Sequence, residues 1–332
     1  MRTVLEILKH SSDFLAGRGI ENPRLNAEHL IGHALGLPRM QLYMQFERPL
    51  MERELETIRG LLRRRARREP LQYIVGETEF FGLTLKVDPR ALIPRPETEY
   101  LVALLTERLG APRAAPPPHL SHLSPPGLPH LSPPRRILDL GTGSGAIALA
   151  LAKHWPEAQV LALDASADAL ALARENAEQN GLSDRVTFAQ SDWFSVFENG
   201  NSAATQPPPF FDLIVSNPPY LSVAEVAESL PEVRDYEPQI ALTPGDDAGL
   251  EAIRKIVSDA PRYLTKPDEA TASHTAENSG DGVRTAGGLL AMETGIAQQA
   301  ALAELLPAAG FAHYEFVNDL SSRPRYTFAV LD

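Results

Sequence analysis

Two short stretches bring together residue types that can do chemistry jointly. Asn217-Pro218-Pro219-Tyr220 follows directly on the apolar run Phe211-Asp212-Leu213-Ile214-Val215-Ser216. Two consecutive prolines remove two N–H donors and fix φ, so the backbone cannot continue a hydrogen-bonded ladder there. Pro218 keeps its carbonyl as an acceptor, Asn217 offers a side-chain acceptor and Tyr220 a flat ring. Two acceptors and one π face suit a planar –NH2 group. The bland alternative is a Pro-Pro loop that merely ends a strand.

The second stretch is Ile137-Leu138-Asp139-Leu140-Gly141-Thr142-Gly143-Ser144-Gly145-Ala146, where a strand hands over to a helix. Glycines let the backbone turn sharply and approach a ligand, and a helix N-terminus exposes free N–H groups. Alone, this is equally a tight strand-to-helix turn. Asp164 closes the next strand, Val160-Leu161-Ala162-Leu163, and is placed to accept both ribose hydroxyl hydrogens; it could also cap the following helix, and the two roles are compatible. Gly141 to Gly145 with Asp164 indicate an adenosine-containing ligand, either a dinucleotide or S-adenosylmethionine. After the third strand come Ser191-Asp192-Trp193. Asp192 is expected to accept from the adenine amine and Trp193 to pack on the ring, although a lone Trp is more often simple packing.

The elements that must position these residues alternate. Strands are expected at Arg136–Leu140, Gln159–Leu163, Arg185–Ala189, Phe211–Ser216, Gly288–Glu293 and Tyr326–Leu331, and helices at Ala146–Lys153, Ala167–Asn180, Ala248–Tyr263 and Gly295–Leu306. Repeated strand–helix units imply a parallel sheet covered on both faces, an α/β fold, with ligands at the carboxyl ends of its strands. Ser166 is the expected N-cap of the helix at Ala167. Upstream, residues 1 to about 70 read as helical. The third helix there spans Glu52 to Arg68 and ends in a run of arginines, read as a solvated face or a docking surface. Residues 72–88 change period, with Tyr73, Val75, Phe80, Leu83, Leu85 and Val87 suggesting a hairpin.

With these residues in view, the chain resembles the amino-group methyltransferases that use S-adenosyl-L-methionine. More narrowly, it resembles the release-factor glutamine N5-methyltransferases (the PrmC/HemK family). Residues Pro70 to Leu83 match that family's interdomain hairpin, and Leu92-Ile93-Pro94-Arg95-Pro96-Glu97-Thr98-Glu99 its most specific signature. Asn22 to Glu28 resemble its N-terminal domain, with Asn26 in place of the usual acid. Gly245 to Leu250, Met292 to Gly295 and Arg323 to Arg325 are near its C-terminal pattern.

The resemblance implies a Rossmann-like, mostly parallel seven-stranded sheet with a small N-terminal helical domain. It implies a helical substrate-recognition domain at 1–71, a linking hairpin at 72–90 and a methyltransferase domain at 91–332. It implies catalysis by Asn217, Pro218 and Tyr220, cofactor contacts from Gly141, Thr142, Gly143, Ser144, Gly145, Asp164, Asp192, Trp193 and Asn217, and substrate contacts from Asn217, Pro218, Pro219, Tyr220, Arg95 and Glu97. The implied partner is a peptide chain release factor. Ribosomal-protein glutamine methyltransferases share Asn-Pro-Pro-Tyr but depart at Arg95 to Glu99.

Composition bounds the rest. The chain has 332 residues, 43% hydrophobic and 22% charged, enough for about two domains. A net charge of -12 disfavours stable nucleic-acid binding and so the rival reading as a DNA adenine-N6 methyltransferase, which would flip its base into the same pocket. An NAD-dependent oxidoreductase would leave Asn217 to Tyr220 unexplained, and a non-enzymatic interaction module would not need the whole motif set. No cysteine is present, which excludes disulfides and thiolate chemistry. The start, Met1-Arg-Thr-Val-Leu-Glu, mixes acid and base unlike a secretory signal, and the longest tight apolar run, Ala146–Ala152, falls far short of the ~20 residues that span a bilayer. A cytoplasmic monomer without membrane contact is expected. Residues 112–134, 199–209 and 266–287 lack apolar content and are expected to be disordered insertions. His119, His122 and His130 lie in the first of these and, without carboxylates, are not expected to hold a metal.

Overall fold

The computed structural model describes residues 2–110, 131–198, 210–266 and 287–331. The insertions expected at 199–209 and, for the most part, at 112–134 and 266–287 lie outside those residues, as do His119, His122 and His130.

The chain forms two compact units. The first contains Met1–Glu77, Val87–Pro89 and Ser229–Glu237. Its helices are α1 (Val4–Ala16), α2 (Pro23–Leu35), α3 (Arg39–Tyr43), α4 (Glu52–Ala66) and α5 (Leu71–Val75). Thr3 and Glu6 cap α1 reciprocally. Leu8, Leu15, Leu30, Ile31, Leu42 and Ile58 form a dry core. One expectation fails here. Tyr73 and Val75 lie in α5, not in a strand; the five-residue helix stops at Gly76, and only then does the hairpin begin. The arginine run is divided: Arg63, Arg64 and Arg67 are exposed, whereas Arg65 and Arg68 are engaged by a later segment. Arg65 is buried, donating from Nε to Asn26 Oδ1 at 2.8 Å and from Nη2 to Glu232 Oε1 at 2.8 Å. Arg68 Nε reaches the other oxygen of Glu232 at 3.0 Å, and the Tyr236 hydroxyl donates to the Arg67 carbonyl at 2.7 Å. Glu232 belongs to the short helix α11 (Pro231–Arg234), so a late segment completes this unit. Glu232→Ala leaves a buried guanidinium short of its carboxylate and is expected to destabilise the full chain by about 1–3 kcal/mol, read by chemical denaturation; an unchanged midpoint would mean that the pairing is dispensable.

The second unit contains Thr78–Lys86, Arg90–Glu228 and Pro238–Asp332. A hairpin of β1 (Glu77–Phe80) and β2 (Leu83–Lys86) precedes α6 (Pro96–Arg108). Then come β3 (Arg136–Leu140), α7 (Ala146–His154), β4 (Gln159–Asp164), α8 (Ala167–Gln179), β5 (Val186–Gln190), α9 (Ser195–Glu198), β6 (Leu213–Ser216), α10 (Val223–Glu228), α12 (Gln239–Leu242), α13 (Glu251–Asp259), β7 (Leu289–Glu293), α14 (Gln299–Ala308), β8 (Phe311–Asn318) and β9 (Pro324–Leu331). The seven-stranded sheet has the order β5-β4-β3-β6-β7-β9-β8, parallel except for β9, which runs antiparallel to both neighbours. Ile137, Val160, Val215 and Ala291 face one layer with α6 and α7; Leu138, Leu140, Ile214 and Leu290 face the other, with α13 and α14. Such two-sided burial gives the near-continuous apolar runs of the sequence.

Besides the short helices α9 to α12, two longer elements escaped the sequence reading. Helix α6 is buried at Thr98 and at Tyr100 to Thr106, so it shows no polar face and no helical period. Strand β8 is an edge strand with mixed exposure and lacks the run of its neighbours. Among the described residues no helix is long and apolar enough to cross a membrane.

Candidate active site

Sheet register assembles the site. Leu140 pairs with Leu163 and with Ser216, and Ser216 pairs with Met292. The next residues, Gly141, Asp164, Asn217 and Glu293, therefore leave the carboxyl edge of four adjacent strands side by side. The chain runs outward from β3 to β5 and then returns to β6 on the other side of β3, so this edge is a topological switch point. The Ser216 hydroxyl pins it by donating to the Leu140 carbonyl at 2.8 Å.

At the glycine turn, the N–H groups of Gly141 and Thr142 both donate to the Leu163 carbonyl, at 2.8 and 2.9 Å. Gly145 has φ +84°, and a Cβ there would lie 3.2 Å from Ala173, so helix α7 can start this close to α8 only from glycine. Asp139 is fully buried beneath the turn. Its Oδ2 accepts from the Thr142 hydroxyl at 2.6 Å and the Ala148 N–H at 3.2 Å. Burial pushes its carboxyl up to about 7, against the pull of those donors. Asp164 Oδ2 accepts from the Gly143 N–H and Oδ1 from the Ser166 N–H, both at 2.8 Å. Burial pushes its carboxyl upward too, opposed by these backbone donors. The helix cap itself is Ser166, whose hydroxyl accepts from Ala169.

A cavity of about 360 Å³ opens at this edge. Gly141 to Ser144, Asp164, Asp192, Trp193, Asn217, Pro219, Thr98 and Arg95 all line it. Trp193, at φ 52°, packs over the turn, and a Cβ on Gly141 would come 3.8 Å from its ring. Asp192 is mostly exposed and receives Lys255 Nζ at 2.9 Å, so its carboxylate is already engaged. Asn217 Nδ2 donates to Thr98 Oγ1 at 3.0 Å. Pro218, Tyr220, Gly145 and Glu97 are not on the cavity wall. Pro218 is buried. Tyr220 sits behind the rim, its hydroxyl on Glu293 at 2.9 Å and its ring 5.5 Å from the Arg325 guanidinium. Burial pushes the Tyr220 hydroxyl far upward, so it stays a donor.

Sequence reasoning missed the residues that hold this rim. Gln298 Nε2 donates to the carbonyls of Tyr220 at 3.0 Å and Gly249 at 2.9 Å. Gly249 has φ +63°, and a Cβ there would fall 2.0 Å from the Tyr220 carbonyl oxygen. Gly249→Ala is therefore expected to push the rim off its position, lower turnover and cost about 1–3 kcal/mol of stability. Kinetics and denaturation of that one variant check this; wild-type behaviour would mean the rim tolerates displacement. Gly249 and Glu293 were visible in the sequence only as parts of family-like patterns.

The likenesses to known proteins agree with this geometry. Residues 6–76 match the family described as the PrmC N-terminal domain, and residues 121–232 the methyltransferase small domain. A release factor glutamine methyltransferase of Geobacter sulfurreducens is 44% identical over 262 residues, 79% of this chain and 80% of its own length. The Chlorobaculum tepidum protein of the same name is 45% identical over 264 residues, 80% of this chain and 82% of its own. The chain belongs to the release factor glutamine methyltransferase family. A Nitratidesulfovibrio vulgaris member of that family is 36% identical over 329 residues, 98% of this chain and 95% of its own. This methyltransferase uses S-adenosyl-L-methionine, and the residues present fit that donor. Asp164 lines the cavity at the end of β4 with its carboxylate held in place by backbone donors, where acceptor capacity is available to a ribose hydroxyl.

Proposed function

We propose that the protein transfers the methyl group of S-adenosyl-L-methionine to the side-chain amide nitrogen (N5) of a glutamine in a peptide chain release factor, the glutamine of its Gly-Gly-Gln segment, in the cytoplasm and in support of translation termination. The observation that carries the reading is the register that sets Asn217 beside the glycine turn, across β3 from Asp164, with all three on the wall of one cavity.

An amide nitrogen is a poor nucleophile because its lone pair is delocalised. The bound donor supplies a sulfonium methyl that is already a strong electrophile. The protein's task is to hold the nitrogen in line with it and exclude water, which supplies up to ~7–11 kcal/mol of the barrier. Asn217 Oδ1 and the Pro218 carbonyl accept the two amide hydrogens, which draws electron density onto nitrogen and aims its lone pair. Tyr220, anchored at its hydroxyl, and Pro219 bound the amide plane. As the nitrogen–methyl bond forms the methyl–sulfur bond breaks, its electron pair staying on sulfur in S-adenosylhomocysteine, and the strongly acidic methylated nitrogen loses its proton to solvent on product release, so no dedicated base is needed. Gly141 to Ser144, Asp164, Asp192 and Trp193 would hold the donor, with Gly145 setting the turn behind them and Asn217 adding only its backbone; Arg95 and Glu97 contact the incoming polypeptide. The helical region at 1–71 recognises the release factor, and the protein acts as a monomer without stable nucleic-acid contact.

Methyl-labelled donor tested in parallel against purified release factor and duplex DNA checks this. Label in the release factor alone is expected; label in DNA alone would make the site an adenine-amine site.

A further inference from the structure

Glu293, the last residue of β7, is fully buried, and the mechanism above gives it no part. Its carboxylate ends two hydrogen-bonded branches. Oε2 accepts from Thr98 Oγ1 at 2.7 Å, and Thr98 Oγ1 in turn accepts from Asn217 Nδ2 at 3.0 Å. Oε1 accepts from the Tyr220 hydroxyl at 2.9 Å. Burying a carboxylate is costly unless its hydrogen bonds are made, and here both oxygens are occupied.

A relay of this kind has a direction, and the charged end sets it. An ionised carboxylate has no proton to give. Thr98 must commit its single hydroxyl hydrogen to Glu293, so it offers Asn217 only a lone pair. Asn217 must then turn its –NH2 inward, which leaves Oδ1 as the outward end of the side chain on the cavity wall. The opposite orientation would set a donor against the donor hydrogens of a substrate amide.

We propose that Glu293 is a positioning residue: acting through Thr98 it fixes which end of the Asn217 amide, the oxygen, faces the substrate's amide nitrogen, and through the Tyr220 hydroxyl it fixes the adjoining ring. The proposal rests on the reading of Asn217 as the substrate's acceptor. It adds a pH dependence with a definite sign. Thr98 and Glu97 from α6, Tyr220 from the rim, and Arg325 and Tyr326 from β9 face Glu293. Burial acts most strongly and pushes the carboxyl upward; Thr98, Tyr220 and Arg325 pull it down, and Glu97 adds to the rise. Protonated Glu293 can donate to Thr98 and release Asn217 to flip. Turnover therefore falls as pH drops through that raised range and is restored above it.

The test compares the full-length protein with Thr98→Val, Thr98→Ser, Glu293→Gln and Asn217→Ala, following kcat on release factor, S-adenosylhomocysteine affinity by calorimetry, and the pH profile of kcat. Thr98→Val keeps the shape of threonine without the hydroxyl, and Glu293→Gln puts an –NH2 where one carboxylate oxygen was. Both are expected to lower kcat roughly 10- to 100-fold with cofactor affinity within about twofold, while Thr98→Ser retains turnover. The acidic limb seen in wild type is expected to vanish from the residual activity of Glu293→Gln. If Thr98→Val and Glu293→Gln turn over normally while Asn217→Ala does not, the relay is wrong and the Asn217 reading stands. If both lose cofactor affinity in step with kcat, Glu293 is only a packing residue and the proposal fails. Normal turnover by Asn217→Ala would remove the reading beneath it.

Discussion

Asn217→Ala is expected to lower the kcat of methyl transfer by about 100-fold or more while changing S-adenosylhomocysteine affinity little. Alanine keeps the backbone of the strand end, which Ser216 and the β3 and β7 pairings hold independently. It removes Oδ1, one of the two acceptors that orient the substrate amide, and it leaves the Thr98 lone pair without its donor. The cofactor end of the cavity is built from the turn after β3 and from Asp164, which do not depend on that side chain. Asn217→Asp is close in shape but is expected to fail as well: a carboxylate oxygen would replace the Nδ2 donor opposite a hydroxyl already committed to Glu293. Steady-state kinetics with calorimetry separates the two quantities. An alanine variant with wild-type kcat would contradict the mechanism, and one that lost cofactor binding instead would move Asn217 out of the substrate's reach.

The opposite split is expected at Asp164. Asp164→Ala should weaken S-adenosylhomocysteine binding roughly 10- to 100-fold, the worth of charge-assisted hydrogen bonds lost from a mostly buried site. Its carboxylate does two jobs, holding the Gly143 and Ser166 N–H groups in place and keeping lone pairs for the ribose. Asp164→Asn cannot do both, because its –NH2 would oppose one of those N–H donors. The effect should sit in the cofactor's dissociation constant, with kcat at saturation less affected. Wild-type affinity in the alanine variant, measured by calorimetry, would take Asp164 out of the site.

The parts of the site legible in the sequence were those whose chemistry is local. The glycine turn, Asp164 and Asn217 to Tyr220 each follow directly on an apolar run, so strand ends could be read and the motifs placed on them. The residues that position them come from far along the chain. Thr98 and Glu293 meet across 195 residues, and Gln298 reaches Tyr220 across 78; no spacing rule connects such pairs. The arginine run shows the same limit, since charge was visible but the Glu232 that engages Arg65 and Arg68 lies over 160 positions away. Pro218 and Tyr220 were expected to face the substrate as directly as Asn217. In the structure neither lines the cavity itself, and the Tyr220 hydroxyl and carbonyl are tied to Glu293 and Gln298. Among the elements, α6 was hidden by being apolar around nearly its whole girth, and α5 by being too short for its period to differ from a strand's.

The most direct measurement incubates the purified protein with S-adenosyl-L-methionine and a purified release factor, then locates the new methyl group by fragmentation mass spectrometry. The account predicts one added methyl on the side-chain nitrogen of the Gly-Gly-Gln glutamine, absent when Asn217→Ala replaces the wild type. A methyl found on another residue type, or a release factor unmodified by an enzyme that binds the cofactor normally, would contradict it.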